Sequence, residues 1–298
     1  MKLLPLILLF LISCTTGFFA LPVQIPEENG TIQVFFCDQT DCLQVLKTVS
    51  ENKSIQCAMY HTSPEFLELN ISLLIVDGDH PIDGAIIEQG FSLMHDKFCT
   101  IGDDLVWTGS WNPSQEMTIP NNVVLIQSET LAQAYRAELN ELARGTFHGG
   151  TQEPGLVRLN GELAESYFCP EDECTKHVLE TLNAAQQSIH FMTFSFTDDS
   201  IGELLLSKNT SGLDVKGIFD PRKNNHSEYE RLSSFSRIVK NHHKVFIVDG
   251  KTVITGSFNP SQNANERNDE NVLIIRDPLI AAAFEQEFTR LSLSARVS

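Results

Sequence analysis

Basic residues are scarce. The chain carries 21 Lys and Arg against 39 Asp and Glu, a formal charge of -18, so its bulk surface repels polyanions and any anionic ligand has to be captured locally. No basic run is interleaved with aromatics, which argues against an extended nucleic-acid track. An amphipathic interfacial helix is also missing. Metal ligation finds little support, because the cysteine pairs lack nearby His in a zinc-like pattern. What is present is substance for a core: 298 residues with 42% hydrophobic content exclude disorder as the default and fit two modest domains or one double-sized one.

The first 20 or so residues, MKLLPLILLFLISCTTGFFALP, read as a signal segment. Lys2 precedes an apolar run that is short for a spanning helix. Leu11-Ile12-Ser13-Cys14 resembles a lipobox, which makes Cys14 a lipidation site and the protein a lipoprotein. An uncleaved membrane-anchor helix reaching through Phe18 and Phe19 to Leu21 competes with that reading. A soluble secreted form ranks third, since Phe18-Phe19-Ala20 is a poor small-x-small cleavage site. All three readings place the chain outside the cytoplasm, with the first two attaching it to a membrane.

Setting Cys14 aside leaves six of the seven cysteines, an even number that suits disulfides in an oxidising compartment. Cys37/Cys42 and Cys169/Cys174 share one C-x-x-x-x-C spacing and are expected as two local disulfides. Cys57 and Cys99 either pair across neighbouring strands or sit as small buried hydrophobes. Asn29, Asn52, Asn70, Asn209 and Asn225 each begin an Asn-x-Ser/Thr triplet compatible with glycosylation.

The chain repeats itself. VFFCDQTDCLQVLKTV aligns with SYFCPEDECTKHVLETL, and each copy then supplies an apolar strand, an H-x-K, a G-S-x-N-P-S, an NVVLI or NVLII strand and a closing helix. Leu131, Tyr135, Leu139 and Leu142 in one closing helix, and Ile280, Phe284, Phe288 and Leu291 in the other, recur at helical spacing and give each an apolar face. Short Val/Ile/Phe-rich strands alternating with helices predict the α/β class, with two pseudo-symmetric α/β/α sandwich repeats packed together. The copies are expected over 30–150 and 151–298, divided near Gly145 to Pro154, where glycine, proline and polar residues collect.

His95 and Lys97, like His242 and Lys244, stand on alternate strand positions, so each pair projects from one face. Ser110 and Asn112, and Ser257 and Asn259, follow at matching distances and offer short phosphate-binding donors. Two such half-sites about a pseudo-twofold axis would set two imidazoles on opposite sides of one phosphorus. H-x-K-x-x-x-x-D followed by G-S-x-N, present twice, resembles the phospholipase D superfamily over nearly the whole mature chain.

That resemblance implies a phosphodiesterase acting in two steps without metal or cofactor. One histidine attacks phosphorus to give a phosphohistidine, the other protonates the leaving oxygen and then activates water, and lysines with asparagine amides hold the developing charge. Both half-sites lie in one chain, so a monomer suffices for catalysis. Asp249 fits the motif as a scaffold residue, whereas its first-half counterpart is Gly102, and a one-residue bulge would let Asp103 replace it. Glu270 stands where the superfamily carries a carboxylate that orients the histidine, and the first half has Asn121 or Asn122 there. A carboxylate raises the imidazole pKa and suits an acid/base, so the expectation is His242 backed by Glu270 as general acid then base, and His95 as nucleophile.

His243 should point away from the cleft, and His226 falls in a polar segment read as a loop. Trp107 and Trp111 either line a pocket or join the core, while His61, His80, His148, His177 and His190 show no partner pattern. Three functions follow: a phospholipid phosphodiesterase, favoured by the membrane-proximal address; an extracellular nuclease, disfavoured by net charge; and a non-catalytic phosphate-binding surface protein.

Overall fold

The computed structural model describes residues 24–114, 119–151, 153–223 and 226–294. Cys14, the whole signal or anchor segment and Asn225 therefore lie outside the described residues. In chain order the first half comprises β1 (Glu27–Glu28), β2 (Ile32–Phe36), α1 (Cys42–Val49), β3 (Ile55–Met59), β4 (Ile71–Val76), β5 (Ile86–Ile87), β6 (Lys97–Ile101), β7 (Leu105–Gly109), β8 (Asn122–Gln127) and α2 (Glu129–Ala143). The second half continues with β9 (Gly155–Leu159), β10 (Glu162–Cys169), α3 (Cys174–Asn183), β11 (Ser188–Thr193), α4 (Asp199–Thr210), β12 (Asp214–Phe219), α5 (Tyr229–Leu232), β13 (Ser236–Ile238), β14 (Lys244–Val248), β15 (Thr252–Gly256), α6 (Gln262–Glu266), β16 (Glu270–Ile275) and α7 (Pro278–Ser294).

These form two mixed sheets, ordered β2-β8-β7-β6-β3-β4-β5 and β1-β9-β10-β16-β15-β14-β11-β12-β13. The same motif recurs in both: β3 is parallel to β4 and antiparallel to β6, as β11 is parallel to β12 and antiparallel to β14. The β6 and β14 strands are buried at every position, as expected of apolar strands covered on both faces.

The closing helices explain how the sheets hold together. Ser128 caps α2 by accepting the Leu131 N–H, and the apolar stripes of α2 and α7 are buried. Both helices lie in one central core that also takes Phe98, Val106 and Val124 from the first sheet and Phe168, Val245 and Leu273 from the second. Each helix packs on strands of both sheets, α2 on β7 and β9 and α7 on β15 and β2. Separate outer cores lie beneath α1 and beneath α3 and α4. The order of layers is thus helix, sheet, a shared pair of helices, sheet, helices, an α/β architecture of two related units.

Disulfides join Cys37 to Cys42 and Cys169 to Cys174, and a third links Cys57 to Cys99. The last two face each other in the β3/β6 register, which decides in favour of pairing over two isolated thiols. Three disulfides suit an oxidising, extracytoplasmic compartment. Among the described residues no helix is long and apolar enough to cross a membrane.

A strong ion-pair network ties α7 to its surroundings. Glu287 on α7 accepts from His243 at 3.2 Å, from Arg290 at 2.7 Å and from Gln39 at 2.8 Å. Burial alone would raise its carboxyl, but His243 and Arg290 carry it from 4.5 down to about 2, equivalent to about 3 kcal/mol at ~1.36 kcal/mol per unit. Because the folded-state value is depressed, this stabilisation is present above pH 4.5 and is lost as pH falls toward 2. Glu287→Gln should lower the unfolding free energy by about 2–3 kcal/mol at pH 7, with the gap narrowing below pH 4.5; urea titrations at several pH values measure both.

Candidate active site

Each H-x-K segment enters its strand under restraint from both units. Before the motif, Asp77 accepts the Met94 N–H at 2.8 Å and Asp220 accepts the Asn241 N–H at 2.8 Å. Both aspartates are buried ends of a parallel strand, in VDG and FDP. Sequence reasoning missed them, although aligning the two copies places them together. At the motif itself the His95 N–H donates to the Asp269 carbonyl at 2.9 Å, and the His242 N–H donates to the Pro120 carbonyl at 2.8 Å. Each histidine is thus held by the loop of the opposite unit.

This crossing overturns the expected partnership of His242 with Glu270. The residue after Asp269 is Glu270, so its carboxylate reaches the other histidine: His95 Nδ1 lies 2.8 Å from both Glu270 oxygens. The residue after Pro120 is Asn121, whose Oδ1 accepts from His242 Nδ1 at 2.9 Å, alongside the Ser110 carbonyl at 3.1 Å. A linear reading pairs each histidine with the polar residue downstream in its own copy. The packing of two copies about a pseudo-twofold axis exchanges them.

The cleft is dry and cationic. His95, Lys97, Lys244 and Glu270 are buried, with Lys97 only 1% exposed. Burial and then the two lysines hold the His95 imidazole well below its ordinary value, and burial, Lys244, Lys97 and His95 do the same to His242. Burial brings Lys97 down to about 8 despite the pull of Glu270 and Asp96, and pushes Glu270 up to about 8 against the opposing effect of Lys97. Mutual repulsion among the cations, with little water to screen it, is what a bound anion would relieve.

Aromatic rings flank the histidines symmetrically. Tyr60 lies 4.8 Å from His95 and Phe194 lies 4.4 Å from His242, between ring centres. Lys97 Nζ sits 5.1 Å over the Tyr60 ring, and Lys244 Nζ sits 5.4 Å over Phe194. Arg222 also covers Phe194, at 4.9 Å, while bonding Asp220 at 2.8 Å. A cavity of about 130 Å³ beside His242 is lined by Asn112, Ser114, Asn121, Phe194 and Arg222. A larger one of about 610 Å³ lies elsewhere, against His190, Glu285 and Phe288.

The remaining motif residues divide by burial. Ser110 and Ser257 are fully buried and pin strands: their hydroxyls accept the Asn122 and Asn271 N–H groups at 3.0 and 2.9 Å. That corrects their expected phosphate-binding use, since these oxygens are committed to the protein. The glycines before them turn the chain at φ 155° and 131°, where a Cβ would meet the Asn122 and Asn271 carbonyl oxygens at 2.3 and 2.2 Å. Asn112 and Asn259 are half-buried and remain the available amides.

Asp249 ties a turn by accepting from the Gln187 and Ser188 N–H groups at 2.7 and 2.9 Å. No bulge restores this in the first unit. Gly102 itself takes the equivalent left-handed position, φ 59° against 54° for Asp249, while Asp103 is exposed and gives only its carbonyl, to Arg136. Trp107 and Trp111 belong to the core, and His226 is exposed. His243 is wholly buried between Asn122 and Glu287. His148, which showed no partner pattern, clamps Glu88 at 2.9 Å and Asp269 at 3.2 Å, steadying the loop that holds His95.

Known proteins resemble this chain in sequence and in fold. A family model described as cardiolipin synthase, PLD-like domain, matches residues 178–292. A phospholipase D from Rickettsia bellii is 32% identical over 151 residues, which cover 47% of this chain and 74% of the relative. A mitochondrial cardiolipin hydrolase from Xenopus tropicalis is 33% identical over 135 residues, covering 41% of this chain and 64% of that protein. Over 87% of this chain and 86% of the other, the fold is similar to phosphatidylserine synthase from Haemophilus influenzae, with TM-score 0.64 and 12% identity. With two H-x-K pairs brought to one cleft and this degree of likeness, the chain belongs to the phospholipase D superfamily of phosphodiesterases.

Proposed function

We propose that the protein hydrolyses phospholipids through a phosphohistidine. The observation that carries this reading is the crossed cleft, in which His95 and His242 each have Nδ1 occupied by a partner from the other unit. Once Nδ1 carries the ring proton, Nε2 of each imidazole is free to face a phosphodiester. The units correspond to residues 30–150 and 151–298.

His95 is the nucleophile. Attack by Nε2 on phosphorus forms the N–P bond, leaves both ring nitrogens substituted and makes the ring cationic, a charge that the Glu270 carboxylate offsets. His242 is the acid and then the base. Its amide partner holds Nδ1–H and orients the ring without the added proton affinity a carboxylate gives, so the imidazolium releases its Nε2 proton to the leaving oxygen as the P–O bond breaks. Nε2 later takes a proton from the water that attacks phosphorus and displaces His95. Lys97 and Lys244, with the amides of Asn112 and Asn259, balance charge on the non-bridging oxygens.

Two features favour a lipid. Phe91, wholly exposed four residues before His95, offers an apolar side chain to an acyl surface, and the relatives include proteins named phospholipase D and cardiolipin hydrolase. Membrane attachment through Cys14 or the N-terminal apolar run would bring the cleft to such a substrate outside the cytoplasm. A nuclease is the second reading, carried by Arg222 and Lys223 stacked over Phe194, a local cation–aromatic pair against the acidic background.

Phosphatidylglycerol or phosphatidylcholine vesicles incubated with the protein in EDTA should release headgroup, and His95→Ala or His242→Ala should abolish release. Cleavage of single-stranded DNA or RNA with intact vesicles would transfer the substrate assignment to nucleic acid. Inertness of the folded protein on every substrate would favour a binding protein. On a diester with a p-nitrophenol leaving group, which needs no acid, His242→Ala should retain the initial burst and a 32P-labelled adduct, and His95→Ala should lose both.

The pH profile tests the Glu270 role. The His95–Glu270 pair has to shed one proton before Nε2 bears a lone pair, and burial sets that loss at about 8 in the free cleft. On the p-nitrophenyl diester, whose leaving group needs no acid from His242, kcat/KM should therefore rise with unit slope as pH approaches 8. Glu270→Gln should remove this limb and lower the maximum by on the order of 10²-fold.

A further inference from the structure

The internal symmetry exposes an imbalance at a place remote from the reacting atoms. The apolar stripes of α2 and α7 align Glu138 with Glu287 and Glu141 with Arg290; the cysteine pairs align Glu171 with Gln39, and the H-x-K motifs align Asp96 with His243. In the second copy the Glu287 carboxylate is surrounded by donors, from Arg290, His243 and Gln39. In the first copy each of those donors is a carboxyl group. Glu138, Glu141 and Glu171 bring carboxylate oxygens within 4.8 Å of one another, and after burial itself the Asp96 charge acts most strongly on Glu138.

Among the described residues no Lys, Arg or His forms an ion pair with these three carboxylates. Glu138 is 4% exposed and, among the described residues, its Oε2 is without a hydrogen-bond partner, as is Oδ2 of the fully buried Asp96. Neighbouring Asp269 is already paired with His148. Thr151 donates to Glu141 through its hydroxyl at 2.9 Å, a neutral contact that leaves the charge in place. The chain passes the cluster at Gly150, where a Cβ would meet Glu141 Oε2 at 2.0 Å and Glu171 Oε1 at 3.0 Å. Like charges so close and so dry either retain protons or bind a cation.

We propose that Glu138, Glu141 and Glu171 bind a hard divalent cation of the Ca²⁺ kind, which supplies in the first copy the positive charge that Arg290 supplies in the second. An all-oxygen donor set selects Ca²⁺ or Mg²⁺ over zinc or copper. Two half-buried ligands, Glu141 and Glu171, give solvent access and leave room for waters. Three carboxylates on a helix and a separate turn suit the irregular shell of Ca²⁺ better than the strict octahedron of Mg²⁺. The ion ties α2 to the β10–α3 turn, and so one unit to the other; it takes no part in the displacement at phosphorus.

The test uses EDTA-treated protein titrated with CaCl₂, MgCl₂ or ZnCl₂, followed by calorimetry and thermal unfolding. One Ca²⁺ should bind with Kd on the order of 10⁻³ M or tighter, with Mg²⁺ at least tenfold weaker and Tm rising with Ca²⁺. Glu141→Arg with Glu171→Gln imports the residues of the second copy; it should unfold at higher temperature than wild type in EDTA and lose the Ca²⁺ response. Should that variant fail to fold, Glu171→Gln alone should weaken Ca²⁺ at least tenfold. Wild type that neither binds nor is stabilised by Ca²⁺, or binds only Zn²⁺, overturns the proposal, as does an undiminished Ca²⁺ response in either variant. Hydrolysis per folded molecule should be equal in wild type and variant, so failure here is distinguishable from failure of the catalytic reading.

Discussion

Everything in the cleft depends on the exchange of restraints between the two units. A histidine backbone N–H of each is taken by the other's loop, and the next side chain along that loop takes the imidazole. Buried threonine and asparagine continue the exchange, Thr108 with Asn271 at 2.8 Å and Asn122 with Thr255 at 2.8 Å. Because these are buried polar groups, each is costly to leave unmade. Separating the units would break the catalytic geometry and orphan these groups in the same event, so the site and the interface share one stability.

Much of this was legible in the sequence. The repeat, the α/β class and the two H-x-K pairs follow from periodicity and spacing, which report local structure. The stripes Leu131 to Leu142 and Ile280 to Leu291 are buried as their spacing predicts, and the C-x-x-x-x-C pairs close the turns expected of them. The partner of Glu270 was not legible, because a contact across 175 positions depends on how two copies pack and leaves no trace in spacing. Ser110 and Ser257 illustrate the same limit: their position after the turn is evident, yet the Asn122 and Asn271 N–H groups that claim their hydroxyls come from another strand. Asp77 and Asp220, in contrast, were readable once the copies were aligned, since both terminate the equivalent strand.

The charge of -18 and the cationic cleft are compatible because they occupy different media. Surface carboxylates are solvated and screened over about a Debye length, whereas Lys97 and Lys244 are buried and act through little intervening water. An anion approaching the protein meets weak repulsion, then strong short-range attraction. Discrimination therefore falls on the fit of one phosphodiester to the cleft, not on general affinity for polyanions.

The pair of helices shared between the sheets has one more consequence. Two halves that were separate molecules would associate according to their concentration, and the cleft would be lost on dilution. Joined by the segment around Gly145 to Pro154, α2 and α7 meet the opposite sheet as an intramolecular event, at an effective concentration fixed by the linker. Covalent fusion also frees each copy to diverge, which a symmetric homodimer cannot do. The unequal neighbours of His95 and His242, and the unequal charges at Glu138 and Glu287, are differences that a symmetric homodimer could not carry.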